Sequence, residues 1–221
     1  SKPIISPPAV TFHQKGGQLI LFGTGKYLET ADTTNTDTQT MYGIWDYNTS
    51  GTLPADSLVQ QITSMTTGSN HRTTTQNLVN YSATVKGWYM DLPISGERLT
   101  AIPEIQDGLF RFTTIVPSAS PCDFGGRGFL NIVNFSTGGM LTRPTFDTNG
   151  NRVLSLDDGY SSGIEIGFAM GGVTSIRNSS IGATSDFAVY SRADGTANNP
   201  PVSPGAQGKR DRITWREFSQ E

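Results

Sequence analysis

Apolar and polar residues trade places along this chain in short bursts, and the bursts are separated by Gly, Asn, Pro and Thr. Gly108-Leu109-Phe110-Arg111-Phe112-Thr113-Thr114-Ile115 alternates most clearly, with the two-residue period of a strand that buries one face. Leu19-Ile20-Leu21-Phe22 is an apolar run that stops at Gly23-Thr24-Gly25. A polar loop follows, and a second aromatic segment begins at Tyr42-Gly43-Ile44-Trp45-Asp46. Two neighbouring strands of one sheet, joined by a long loop at its edge, read this way. Trp88-Tyr89-Met90-Asp91-Leu92 runs into Pro93, which ends the ladder, and Ile94-Ser95-Gly96-Glu97-Arg98 reads as the turn into the next strand. These patterns predict strands near 9–13, 18–23, 40–47, 83–91, 97–102, 108–116, 128–135, 163–168, 172–177, 186–191 and 212–218. One segment, 55–62, reads as one or two helical turns, with Asp56 or Ser57 as N-cap and Leu58, Gln61 and Ile62 at helical spacing. The Thr- and Asn-rich stretch 63–80 reads as loop or weak strand.

Composition agrees with an all-β fold. Of 221 residues, 35% are hydrophobic and only 16% charged, so Gly, Ser, Thr, Asn and Pro make up most of the rest. Turns need Gly and Asn, and strand surfaces accept Thr; a helical bundle would need more Ala, Leu, Glu and Lys. The chain is therefore read as a single all-β region spanning 1–221. A net charge of −3 argues against nucleic-acid binding, and the one dense basic cluster, Lys209-Arg210 with Arg212, is too short to line a groove. Cys122 stands alone, which excludes an internal disulfide framework and a Cys-rich zinc site. It is either free and buried or bonded to a segment outside this chain. No apolar run reaches the roughly 18–20 residues of a membrane span. Low charge, abundant Thr and scarce Cys suit an exported bacterial protein. With Ser1 first and no signal peptide visible, the chain reads as a processed or excised piece whose targeting signal lay upstream.

Strands in groups of three or four suggest propeller blades, and a four-stranded blade takes about 40–50 residues, so this length makes four or five. Several segments, in order, resemble the C-terminal propeller domain of the PilC/PilY family of type IV pilus proteins. Phe22-Gly23-Thr24-Gly25-Lys26-Tyr27-Leu28 and Tyr42-Gly43-Ile44-Trp45-Asp46 come first, then Lys86-Gly87-Trp88-Tyr89-Met90-Asp91-Leu92 and the Gly96-Glu97-Arg98 turn. Phe112-Thr113-Thr114-Ile115-Val116-Pro117, Pro121-Cys122 and Gly125-Gly126 follow, and Arg212-Ile213-Thr214-Trp215-Arg216-Glu217 resembles the family's closing strand. The resemblance implies β-propeller-like blades of antiparallel strands, forming the C-terminal part of a larger propeller. It also implies a place at the pilus tip, cell surface or outer membrane of a bacterium, in pilus assembly, retraction control and adhesion. The implied partners are minor pilins at the pilus tip, a host-cell or surface receptor, and the remaining N-terminal part of the same protein. Trp45, Trp88 and Trp215 are read as filling the spaces between blades, and Arg216-Glu217 as a strand-end salt bridge.

Calcium is the best candidate chemistry. Asp147, Asn149 and Asn151 stand at loop positions 1, 3 and 5, the Val153 carbonyl at 7 and Asp158 at 12, with Ser155 placed to hold a water. A hard cation needs this convergence of oxygens from a tight loop. The family often shows D-x-N-x-D-G-x5-D here; Asn151 replaces a charged ligand, and Arg152 stands where Gly makes the sharp turn. The competing reading is a bare hairpin, since Asn149-Gly150 is a type I′ turn signal. The Asp32–Asp37 carboxylates match no ligand spacing and read as a solvated loop tip. Gly159-Tyr160-Ser161-Ser162-Gly163 matches G-x-S-x-G, but a strand rather than a helix follows and both histidines, His13 and His71, lie upstream. Gly23-Thr24-Gly25-Lys26 lacks the first glycine of a phosphate loop and has Tyr27 in place of Ser or Thr. The expectation is a non-enzymatic display domain, with loops 29–40, 63–80 and 194–211 as its recognition surfaces. Two alternatives stay open: a quinoprotein-like or carbohydrate-active propeller enzyme, and a purely structural assembly module.

Overall fold

The structure is a computed structural model that describes residues 2–47, 51–118, 120, 125–169, 171–176, 185–192 and 195–204, with the backbone alone at 55 and 174–176. It is all-β. The strands are β1 (Ala9–Phe12), β2 (Gln18–Gly23), β3 (Thr40–Asp46), β4 (Leu58–Met65), β5 (His71–Thr74), β6 (Gly87–Asp91), β7 (Arg98–Leu99) and β8 (Glu104–Gln106). They continue as β9 (Leu109–Pro117), β10 (Gly126–Asn134), β11 (Gly163–Glu165), β12 (Thr174–Ile176), β13 (Asp186–Ser191), β14 (Ala197–Asn198) and β15 (Pro201–Val202).

Eleven strands form one hydrogen-bonded path, β1-β2-β3-β6-β4-β5-β11-β10-β9-β7, with β8 on β9. Strand β4 carries the path from one half to the other. Its first residues, Leu58 to Ile62, run parallel to β6, whereas Thr63 to Met65 pair antiparallel with β5. This parallel pair departs from the all-antiparallel expectation. The path nearly closes on itself, because Leu99 N–H at its far end donates to the Thr24 carbonyl just beyond β2. A second sheet joins β12, β14 and β15 around β13.

Alternation explains the packing. Leu19, Leu21, Met41, Trp45, Trp88 and Met90 point inward from β2, β3 and β6 and meet Leu99, Phe110, Phe112 and Val133 from the facing half. The opposite face of β9 and β10 presents Leu109, Leu130 and Ile132 to Ala188, Tyr190 and Val202 of the second sheet. The half built on β9 and β10 is thus covered on both faces, as a propeller blade is. Two glycines permit close approach. A Cβ on Gly43 would lie 2.3 Å from Trp88 Nε1, and one on Gly25, at φ +130°, would lie 2.4 Å from Arg98 Cβ. Trp88 and Trp45 are buried, as the sequence predicts.

The 55–62 helix is not formed. A 3-10 turn covers Ala55–Ser57 and β4 begins at Leu58, with alternate residues turned inward. Val59, Ile62 and Thr63 are β-branched and favour the pleat, and inward-facing Gln61 is satisfied there by Asn77 and Thr137 carbonyls at 2.7 and 2.8 Å. Of the stretch 63–80, read as loop or weak strand, Thr63 to Thr74 forms the β4–β5 hairpin and 75–80 carries no strand. The strand at 212–218, Trp215, Arg216-Glu217, Cys122, the Lys209-Arg210-Arg212 cluster and residues 194 and 205–211 of loop 194–211 lie outside the described residues.

Candidate functional site

The 147–158 loop hangs between Phe146, which is buried and bridged to Val202, and a 3-10 turn at Leu156–Asp158. Its oxygens organise its own backbone. Asp147 Oδ1 accepts from Gly150 N–H at 2.7 Å and Oδ2 from Arg152 N–H at 2.7 Å. Asn149 Oδ1 accepts from Asn151 N–H at 3.0 Å, and Asn151 Oδ1 from Val153 N–H at 2.7 Å. Asp158 closes the ring, with Oδ1 accepting from Thr148 N–H at 3.0 Å and Oδ2 from Ser155 N–H at 2.8 Å. Arg152 takes φ +65°, so the chain makes the left-handed step at position 6 without a glycine. The bare hairpin is absent: no strand flanks the loop, and Asn149 lacks the positive φ that a type I′ turn requires.

Chemically, each of these oxygens accepts one or two N–H groups and a carboxyl or amide oxygen has further lone-pair capacity. Asn149, Asn151 and Val153 are exposed, Asp147 is half-buried and Asp158 is buried. The set is all oxygen with two carboxylates, which fits a hard cation and not a soft one. Among the described residues no three His, Cys, Asp or Glu side chains gather as a metal group, so a cation here would depend on the asparagine amides and the Val153 carbonyl.

Elsewhere the structure moves charges inward that sequence reasoning had left outside. Asp32 is not at a solvated tip: its side chain is buried and its Oδ2 accepts from Leu28 and Glu29 N–H at 2.8 and 3.0 Å. Those contacts, the Leu28 N–H foremost, and Lys26 beside it hold the carboxyl below the usual range against the effect of burial. Arg98, also buried, donates to the carbonyls of Lys26, Asp32, Asn35 and Gly96 at 2.7–2.9 Å, and so fastens loop 29–40 to β7. Glu97 pairs with Arg72 at 2.8 Å in the interior, where Thr114 donates to Glu97 and the Arg72 guanidinium lies 3.7 Å over the Phe129 ring. The Gly96-Glu97-Arg98 segment reads locally only as a turn, so nothing in its own pattern signals this buried layer.

Ser161 of the G-x-S-x-G match is buried and leads straight into β11, with no helix after it. His13 and His71 do not meet. His13 packs on Trp45 and Tyr81 at 4.8 and 4.3 Å between ring centres, above a groove of about 370 Å³ lined also by Lys15, Asn80 and Ser136. Burial, and then the Lys15 charge, lower its pKa.

Comparison with known proteins gives a consistent result. Residues 1–83 match the family model described as the PilY1 beta-propeller domain. A type IV pilus biogenesis factor PilY1 homolog of Xylella fastidiosa is 30% identical over 94% of this chain, and a second from the same organism is 29% identical over 99%. The type IV pilus biogenesis factor PilY1 of Pseudomonas aeruginosa is 30% identical over 73% of the chain. The chain spans only 14%, 18% and 16% of these three relatives. Among solved structures, the Pseudomonas aeruginosa PilY1 C-terminal domain superposes with a TM-score of 0.72 at 25% identity, covering 93% of this chain and 46% of that one.

Proposed function

Because the chain belongs to the PilC/PilY family of type IV pilus proteins, we propose that it is a non-enzymatic display domain acting in pilus assembly, retraction control and adhesion. The observation that supports this most is likeness through almost the whole chain to proteins named as pilus biogenesis factors, not as enzymes. Its partners in this reading are minor pilins at the pilus tip, a cell or surface receptor, and the N-terminal part of the same protein. The location is the pilus tip or outer surface of a bacterium. No helix among the described residues is long and apolar enough to cross a membrane.

The 147–158 loop is read as a calcium loop, held by Asp147, Asn149, Asn151, the Val153 carbonyl and Asp158. Support comes from the serial turns at positions 1, 3 and 5 and from the left-handed Arg152 at position 6. With two carboxylates, affinity falls in the range of extracellular modules, roughly 10⁻⁴–10⁻³ M. A bound ion would cross-link the loop's two ends and make its surface calcium-dependent.

Immunogold labelling of sheared pili with antibody to this chain tests the pilus reading. Label at filament tips supports it, whereas pili without label and protein on envelopes that lack pili overturn it. Calorimetric titration with Ca²⁺, on the wild type and on Asp147→Ala, tests the loop separately. Heat of binding lost in the variant supports the calcium reading; no heat in the folded wild type removes it and leaves the pilus assignment standing.

A further inference from the structure

Three separate segments meet at the groove beside His13. The 13–17 turn closes β1 onto β2, with Gly16 N–H donating to the His13 carbonyl at 2.9 Å. Residues 79–81 lead towards β6, and 134–136 run off the end of β10. Side chains tie these walls together. Tyr81 O–H donates to the Ser136 carbonyl at 2.6 Å, and the Lys15 ammonium to the Tyr81 carbonyl at 2.5 Å. Trp45 Nε1–H donates to the Gly16 carbonyl at 2.7 Å, and its ring is stacked on that of Tyr47, which is 44% exposed. The groove of about 370 Å³ is thus of ligand size and built in advance. A second groove, of about 320 Å³, shares Asn134 and Phe135 with it and continues to Asp107 and Arg143.

The first groove offers fixed donors and a positive charge. Asn134 Oδ1 accepts from Ser136 and Thr137 N–H at 2.8 and 3.1 Å, which leaves its amide NH₂ to donate. His13 Nδ1 accepts from Lys15 N–H at 3.2 Å, so the neutral ring keeps its proton on Nε2. The side-chain amides of Gln14 and Asn80 are exposed and bond to no described residue. Among the described residues no carboxylate pairs with Lys15, nor with Lys86, whose ammonium lies 4.9 Å from the centre of the Trp45 ring. An ammonium beside neutral donors and rings matches one carboxylate carried on a body of hydroxyls and C–H faces. A phosphate would ask for more positive charge or an arginine fork.

The geometry points to a saccharide-binding site here, for a sugar that carries a carboxylate: the acid on Lys15, hydroxyls on the Asn134, Asn80 and Gln14 amides, and a ring face against His13. The assignment rests on the adhesion reading above and gives its receptor a chemical class. An acidic peptide shares the charge. The groove walls, however, are turns and strand ends rather than a bare strand edge, so an extended main chain has no ladder to join. Two adjoining grooves also suit a chain of sugar rings.

Ligand-observed saturation-transfer NMR with the full-length protein tests this. The probes are 3′-sialyllactose and a hyaluronan tetrasaccharide, which separate a sialylated from a uronate-bearing source, with neutral chitotetraose and hexaglutamate beside them. The expected result is transfer to one or both acidic saccharides, with the dissociation constant raised about tenfold or more in Lys15→Gln and in Asn134→Ala. Lys15→Arg keeps binding, and Arg127→Gln, an equal loss of charge at the other end of β10, leaves it unchanged. No transfer to either acidic saccharide from the folded wild type overturns the inference. So do chitotetraose bound equally well, hexaglutamate bound in place of the saccharides, and a loss in Arg127→Gln equal to that in Lys15→Gln. Adhesion of piliated cells, measured separately, tells failure of this site from failure of the adhesion reading.

Discussion

Arg98 and Asp32 carry the organisation of loop 29–40 between them. One buried guanidinium satisfies four carbonyls that would otherwise be orphaned near the core, and hydrogen bonds to charged groups contribute about 1.5–3 kcal/mol each. Arg98→Ala is expected to lose at least about 3 kcal/mol in chemical denaturation, with amide exchange rising first across 26–35. Asp32 gives a pH signature. Its carboxyl titrates lower in the folded chain than in the unfolded one, so the stabilisation is complete above the ordinary carboxylate range near 4 and is lost as pH falls through the folded value. Asp32→Asn should flatten that part of the acid limb, seen as a smaller difference in denaturation midpoint between pH 6 and pH 3. Neither role is legible in the sequence. Gly96-Glu97-Arg98 and the Asp32–Asp37 stretch are polar and turn-like locally, and their burial depends on carbonyls delivered from distant strands.

Strands β2, β3, β9 and β13 appear where the sequence places them: β9 shows the period of two, and the others are short apolar or aromatic runs, β2 and β3 being parted by Gly and a polar loop. Strand β4 escaped notice because Leu58, Gln61 and Ile62 also satisfy helical spacing; pairing with β6 and β5 decided the matter. Strands β8, β14 and β15, which the sequence reading does not place, carry too few residues to show any period. Within β3, the Gly43 position tests strand packing: Gly43→Ala drives a methyl into the Trp88 indole and should cost about 1–3 kcal/mol, with a changed near-ultraviolet circular dichroism spectrum. The oxygen-bearing residues of the 147–158 loop lie in one segment and so show their spacing in the sequence, but the left-handed Arg152 does not. Arg152→Gly is expected to raise stability by a few tenths to about 1 kcal/mol, by easing that φ. It also removes a cation from the loop, so Ca²⁺ titration should show tighter binding.

At the level of the whole molecule, the layers show where the chain buries its apolar side chains and where it turns them outward. Phe22, Tyr42 and Tyr89 stack on the outward face of β2, β3 and β6 and stay part-exposed, so the 221-residue chain should self-associate with rising concentration in analytical ultracentrifugation. Tyr42→Lys should restore the monomer without lowering the melting temperature. The crossing of β4 between the two halves has a further consequence, for the order in which the fold is made. Hairpins such as β1–β2, β2–β3, β4–β5 and β9–β10 close between near neighbours in the chain and can form early. The pairing of β5 with β11, His71 against Ile164, cannot: all of β6 to β10 lies between them. That junction is expected to form late, because the loop it closes is long and its entropy is lost before any packing repays it. A chain that folds from its N-terminal end would therefore hold β5 with a bare edge until β11 arrives. In that interval, assistance by a chaperone would matter most.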